Sequence, residues 1–171
     1  MTDKEMGMKS TATISACGAY RYMLRRIWDD SLPPIYWIML NPSTADANKD
    51  DPTIRRVVGF SKHWGYGSAN VLNLFALRST NPDNLLGHAD PVGPDNDTHL
   101  RSILDTKYRH TIVAAWGSFK GAAGRAREVR TLMSGRLWCL GTTRDGHPRH
   151  PLYVRSDQEL QTYPHLGGGS Q

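Results

Sequence analysis

Ile35-Tyr36-Trp37-Ile38-Met39-Leu40-Asn41-Pro42-Ser43 decides the fold. Apolar and aromatic side chains run unbroken from Ile35 to Leu40, between Pro33-Pro34 and Asn41-Pro42. A short continuous apolar run bounded by turn residues reads as a strand buried on both faces. Pro42 ends it, because proline has no N–H to give to a ladder. Downstream, Asp51-Pro52-Thr53 has the form of a helix start. Asp51 supplies the cap, and Pro52 takes the first helical position, where its missing N–H costs nothing. The helix is expected to run to about Lys62 and to stop before the tight turn Gly65-Tyr66-Gly67.

The same alternation continues outward. Residues 69–77 read as a second buried strand, and 81–94 as a Pro/Gly/Asp-rich loop. Residues 95–107 carry Leu100, Ile103 and Leu104 at helical spacing. Residues 111–116 are a third strand, 122–133 a helix and 137–140 a fourth strand, followed by a loop over 141–151. Upstream, residues 19–28 alternate aromatic and basic side chains, as a strand or an amphipathic segment would. Strand and helix in regular succession predict an α/β protein, a three-layer α/β/α sandwich around a short, mostly parallel four-stranded sheet. We take residues 1–166 as one domain and 167–171, Gly-Gly-Gly-Ser-Gln, as a flexible tail.

The chain has 171 residues, enough to bury a core without disulfides. Its two cysteines, Cys17 and Cys139, form no CxxC or Cys/His cluster, so no metal and no cofactor are expected and a reducing cytoplasm suits it. The longest apolar run is too short to span a bilayer. The formal net charge is +5, with arginines grouped at 21, 25 and 26, at 55 and 56, and at 125, 127 and 130. Positive surface favours phosphate-bearing partners.

Three polar punctuation marks fall where strands should end: Leu40-Asn41-Pro42-Ser43, Asn70-Val71-Leu72-Asn73 and His150-Pro151-Leu152. Ligands in open α/β sheets bind beyond the carboxyl ends of strands, so two amides and an imidazole can meet in one pocket there. Taken singly, each has a plain local explanation: a turn, a buried loop hydrogen bond, a surface histidine. Trp116-Gly117 reads as core plus turn. Asp51 reads as a helix cap, and Arg55 as the partner of an acidic neighbour.

In order and spacing, these motifs resemble the uracil-DNA glycosylase superfamily. Met39-Leu40-Asn41-Pro42-Ser43 is similar to its water-holding turn, and Val71-Leu72-Asn73 with Leu77-Arg78 to its base-reading strand. Val113-Ala114-Ala115-Trp116-Gly117 is similar to the strand that follows, and His150-Pro151-Leu152 to its terminal histidine loop. A narrower resemblance, to the DUF1643-type family, covers residues 40–153 through L-N-P-S-T-A-D, D-P-T-x-R, G-Y-G, N-L-F-A-L-R, W-G and H-P-L-Y.

The resemblance implies a monofunctional DNA glycosylase that hydrolyses the N-glycosidic bond of a flipped base, with Asn41 and His150 catalytic. It implies that Asn73, Ser43, Pro42 and Leu40 surround the base, and that Arg55, His147, Arg149, Tyr153 and Ser118 contact DNA or its phosphates. Uracil-specific relatives place a bulky tyrosine where this chain has Ser43. The open space points to a 5-substituted pyrimidine, removed in repair or in defence against phage DNA. Asn41 stands where many relatives carry aspartate, which predicts slower turnover. The expected partner is DNA, with no membrane and a monomeric protein. The alternatives are an enzyme acting on free nucleotides or nucleosides on the same fold, and a non-catalytic nucleic-acid-binding module.

Overall fold

A computed structural model describes residues 7–165; the expected tail lies outside them. The elements in chain order are β1 (Lys9–Ile14), β2 (Arg21–Ile27), β3 (Pro34–Met39), α1 (Pro52–His63), β4 (Ser68–Asn73), α2 (Asn84–Gly87), α3 (Asn96–Ser102), β5 (Thr111–Ala114), α4 (Ala123–Leu132), β6 (Leu137–Cys139) and β7 (Gln161–Thr162). Single turns of 3-10 helix occupy Lys120–Ala122 and Pro151–Tyr153.

The apolar run that opens the argument is the centre of the sheet. Ile35, Trp37 and Ile38 are fully buried, because β3 is covered on both faces and flanked on both edges. Strand order is β1-β2-β4-β3-β5-β6-β7. β4, β3, β5 and β6 run parallel to one another. β1, β2 and β7 join antiparallel at the two sides. The protein is therefore a mixed α/β fold with one seven-stranded sheet, and the expected four strands are only its middle.

Of the three added strands, β2 falls within residues 19–28, expected as a strand or an amphipathic segment, whereas β1 and β7 were not expected, for a physical reason. β1 is a mostly exposed edge strand rich in Ser and Thr, and β7 is two exposed residues long. Neither carries the apolar run that a buried strand must have. The helix expected over residues 95–107 ends at Ser102, and Ile103 caps it. The strand expected over residues 69–77 ends at Asn73, and a single bridge joins Leu77 to Tyr20.

The helices sort onto two faces. α1 packs Ile54, Val57, Val58 and Phe60 against Trp37, Val71, Val113 and Leu24. Leu85, Leu100, Val129 and Met133 of α2, α3 and α4 cover Ile38, Leu72, Ile112 and Leu137 on the other face. The chain leaves β3 by way of α1 to β4 on one side, then crosses to β5 on the other. A crevice opens at the carboxyl end of β3, where successive strands part in this way.

Candidate functional site

A cavity of about 250 Å³ occupies that crevice, and Asn41, Asn73 and His150 all line it. Asn41 immediately follows β3 by way of Leu40, Asn73 ends β4, and His150 stands before the Pro151–Tyr153 turn. Leu40 and Ser43 also line it. Five expected residues thus come together from segments more than a hundred positions apart.

Each polar group has a defined hydrogen-bonding state. The Asn41 amide nitrogen donates to the carbonyls of Pro42 at 3.1 Å and Ser79 at 2.9 Å. Those two acceptors fix the amide's orientation and leave Oδ1 as the acceptor for a ligand or water. Asn73 is only 1% exposed, and its Nδ2 finds no acceptor among the described residues. A buried donor without a partner is costly, and a ligand acceptor in the cavity removes that cost. His150 Nδ1 accepts the Leu152 backbone N–H at 3.2 Å. In the neutral ring, the proton then sits on Nε2. Burial holds the imidazole below its ordinary value, with the nearby Asp51 charge pulling partly the other way. The site therefore presents a neutral N–H donor at pH 7.

The remaining expected residues fall elsewhere. Pro42 is buried under the turn, where its carbonyl accepts from Ser79 N and Asn41; it does not line the cavity. Arg55 is exposed on α1 and lines a separate groove of about 710 Å³ with Phe60, His63 and Leu152. Among the described residues it makes no ion pair, so the expected pairing with an acidic neighbour is not formed. His147 closes the 143–147 turn through its backbone. Arg149 is exposed, with Nε on the Thr142 carbonyl. Tyr153 is 80% exposed, its ring centroid 5.6 Å from that of His150. Ser118 is exposed beyond β5.

Other residues line the cavity too. Asp51 caps α1, accepting from Ile54 N at 2.8 Å, and lines the cavity as well. Trp116 is core, as expected, yet its ring forms part of the wall. Arg21 is the largest omission. It was counted among surface arginines, but it is 3% exposed in β2 and lines the cavity. Arg21 Nη1 donates to the Ala45 carbonyl, and Arg26, equally buried, binds Asp50 and the carbonyls of Asp46 and Lys49. Two strand arginines thus tie down the loop between β3 and α1.

Much of the apparent basic surface is used the same way. Arg125 bridges Asp97 and Glu128, Arg25 binds the Asn70 side chain, and Arg56 binds the carbonyls of Pro151 and Val154. Among the described residues, no group of three or more His, Cys, Asp or Glu side chains is placed to hold a metal ion. No helix there is long and apolar enough to cross a membrane.

This fold and cavity coincide with a recognised sequence family. The chain belongs to the family described as "Protein of unknown function (DUF1643)", whose profile matches residues 21–152, from the first arginine of β2 to just beyond His150. Comparison with curated proteins and with solved structures gave no match.

Proposed function

We propose that the protein is a DNA N-glycosylase that releases a modified base, a 5-substituted pyrimidine. One observation carries the reading: Asn41, Asn73 and His150 share one small cavity at the carboxyl ends of parallel strands, and each has an unused ligand-facing group. Ligand pockets for drug-sized molecules start at roughly 300 Å³, so about 250 Å³ suits one heterocycle with little besides. The parallel order β4-β3-β5-β6, with the turn motifs at its ends, supports the resemblance to the uracil-DNA glycosylase superfamily.

The chemistry follows from the groups present. The nucleotide leaves the duplex stack, which costs a few kcal/mol, and its base enters beside Trp116. Asn73 donates to the polar edge of the ring. Ser43 leaves the 5-position unobstructed. The C1′–N bond then breaks with its electron pair going to the base, so negative charge grows there and positive charge on the sugar. The His150 Nε2–H donates to the anionic base from a preorganised position. Asn41 Oδ1 holds the water whose oxygen bonds to C1′. An amide is no base, and Asp51 is the carboxylate in the cavity wall that offsets the cationic sugar and receives the water's proton.

The test is incubation of the protein with DNAs carrying uracil, hydroxymethylated or glucosylated cytosine, or mismatched thymine, followed by assay for abasic sites. Release of a modified base is expected, reduced about 10²–10⁴-fold in Asn41→Ala and in His150→Ala. Absence of abasic sites on every substrate overturns the reading.

A second reading has its own observation. Arg21, Arg25, Arg26, Arg56 and Arg125 are committed to partners within the protein, which leaves fewer cations for a long strand and suits a free nucleotide better. Salt dependence separates the two: binding to a strand weakens steeply with salt, in proportion to the phosphates contacted.

A further inference from the structure

The charge on Arg21 has no counter-ion among the described residues. Asp51 and Asp46 are the acids that act on it, but neither comes within 4.0 Å, and among the described residues no carboxylate pairs with it. Its Nε has no hydrogen-bond partner although the side chain is 3% exposed. Burial lowers the guanidinium to about 10, opposed by Asp51, so the group stays charged at neutral pH. Arg26, five residues further along β2, shows what a structural arginine looks like here: equally buried, but paired with Asp50, with Nη2 on the loop carbonyls of Asp46 and Lys49 and Nη1 on the Arg25 carbonyl. A buried charge without a partner is the costly half of an ion pair. In a cavity wall, the missing half is a ligand's.

The ligand's anion must sit within one ring's reach of Asn73 and His150, because all three line the same small cavity. Ser43, on that wall, leaves room for a substituent. We infer that Arg21 selects a base bearing an anionic substituent of the carboxylate type, held by charge-assisted hydrogen bonds from the guanidinium. This deepens the glycosylase reading and rests on it for the identity of the ligand as a base. A phosphate of a free nucleotide offers Arg21 the same chemistry, and the experiment tells the two apart.

Two single-stranded oligonucleotides would be prepared that differ at one pyrimidine, carrying either a 5-carboxylate or the isosteric, neutral 5-carboxamide. Affinity would be read by fluorescence anisotropy, with base release followed in parallel. The carboxylate strand is expected to bind about 10- to 100-fold more tightly. Arg21→Lys should keep most of that preference. Arg21→Gln should lose it, with its fold checked separately by circular dichroism and thermal unfolding. Equal affinity for the two strands in the parent protein, or a preference that survives Arg21→Gln, overturns the inference. So does competition by a nucleoside 5′-monophosphate that depends on Arg21 while the 5-substituent makes no difference; the counter-charge is then a phosphate. The failure of the glycosylase reading is separate: it shows as an Arg21-dependent preference without base release, whereas release of neutral bases with no preference defeats the inference alone.

Discussion

Asn41 shows how one amide constrains both chemistry and stability. Its nitrogen donates to two fixed carbonyls, so the position demands a donor. Asn41→Asp would set a carboxylate against the oxygens of Pro42 and Ser79. We expect it to lose about 1–3 kcal/mol in urea denaturation instead of gaining a catalytic base; a variant as stable as the parent would show that the amide is not locked. His150 carries a pH signature whose sign follows from burial. Its folded-state value lies below the ordinary 6.5, so in that range the unfolded chain takes up a proton more readily. Its contribution to stability is therefore intact above about pH 6.5 and is lost as pH falls through the lower folded value. Unfolding measured between about pH 7.5 and pH 5 should show this slope, reduced in His150→Asn. Part of the slope remains with His110, which burial shifts the same way. Asn41 and Asn73 were legible in the sequence because a polar residue at the end of an apolar run stands out, and His150 through its His-Pro-Leu motif. Arg21 was not, because a basic residue alternating with aromatics in a strand has the pattern of a solvent-facing side.

Among the elements, α1 joins a structural role to a chemical one through its cap. Asp51 accepts the Ile54 N–H and also contributes to the cavity wall. Substitution separates the roles, because asparagine caps about as well as aspartate and alanine does not. Asp51→Ala should lose about 1 kcal/mol and Asp51→Asn only a few tenths, as read by chemical denaturation. If the carboxylate's charge acts in base release, both variants should be slowed alike; slowing of the alanine variant alone would reduce Asp51 to a cap. Among the elements legible in the sequence, β3, β4 and β5 were marked by burial and α1 by its cap, while β6 and α4 followed from the alternation of strand and helix. The edge strands β1 and β7 were not legible, because they are held by pairing with a neighbour and bury little apolar surface of their own. Sequence periodicity records burial, and backbone pairing at an edge leaves almost no trace in it.

At the scale of the whole molecule, the sheet centre carries the stability. Trp37 is fully buried, stacked 5.7 Å from Trp64, with its indole N–H on Ser61 Oγ. Trp37→Ala should cost about 3–5 kcal/mol, a large share of the roughly 5–15 kcal/mol available to a domain, and should lower the denaturation midpoint accordingly. The cavity lies at the end of that same core, and its walls come from widely separated parts of the chain. Arg21 is delivered by β2, Asn41 by the exit of β3, Asn73 by β4, Trp116 by the segment after β5, and His150 by the loop after β6. No fragment of the chain holds the site, so a molecule that occupies it binds the native state and not the unfolded one. Occupancy then adds directly to global stability, by about 2.7 kcal/mol when the ligand stands at a hundred times its dissociation constant. Melting temperature thus becomes a catalysis-blind detector: a panel of nucleosides, nucleotides and modified bases can be ranked by thermal shift alone, and the true ligand will be found even if the reaction is never seen.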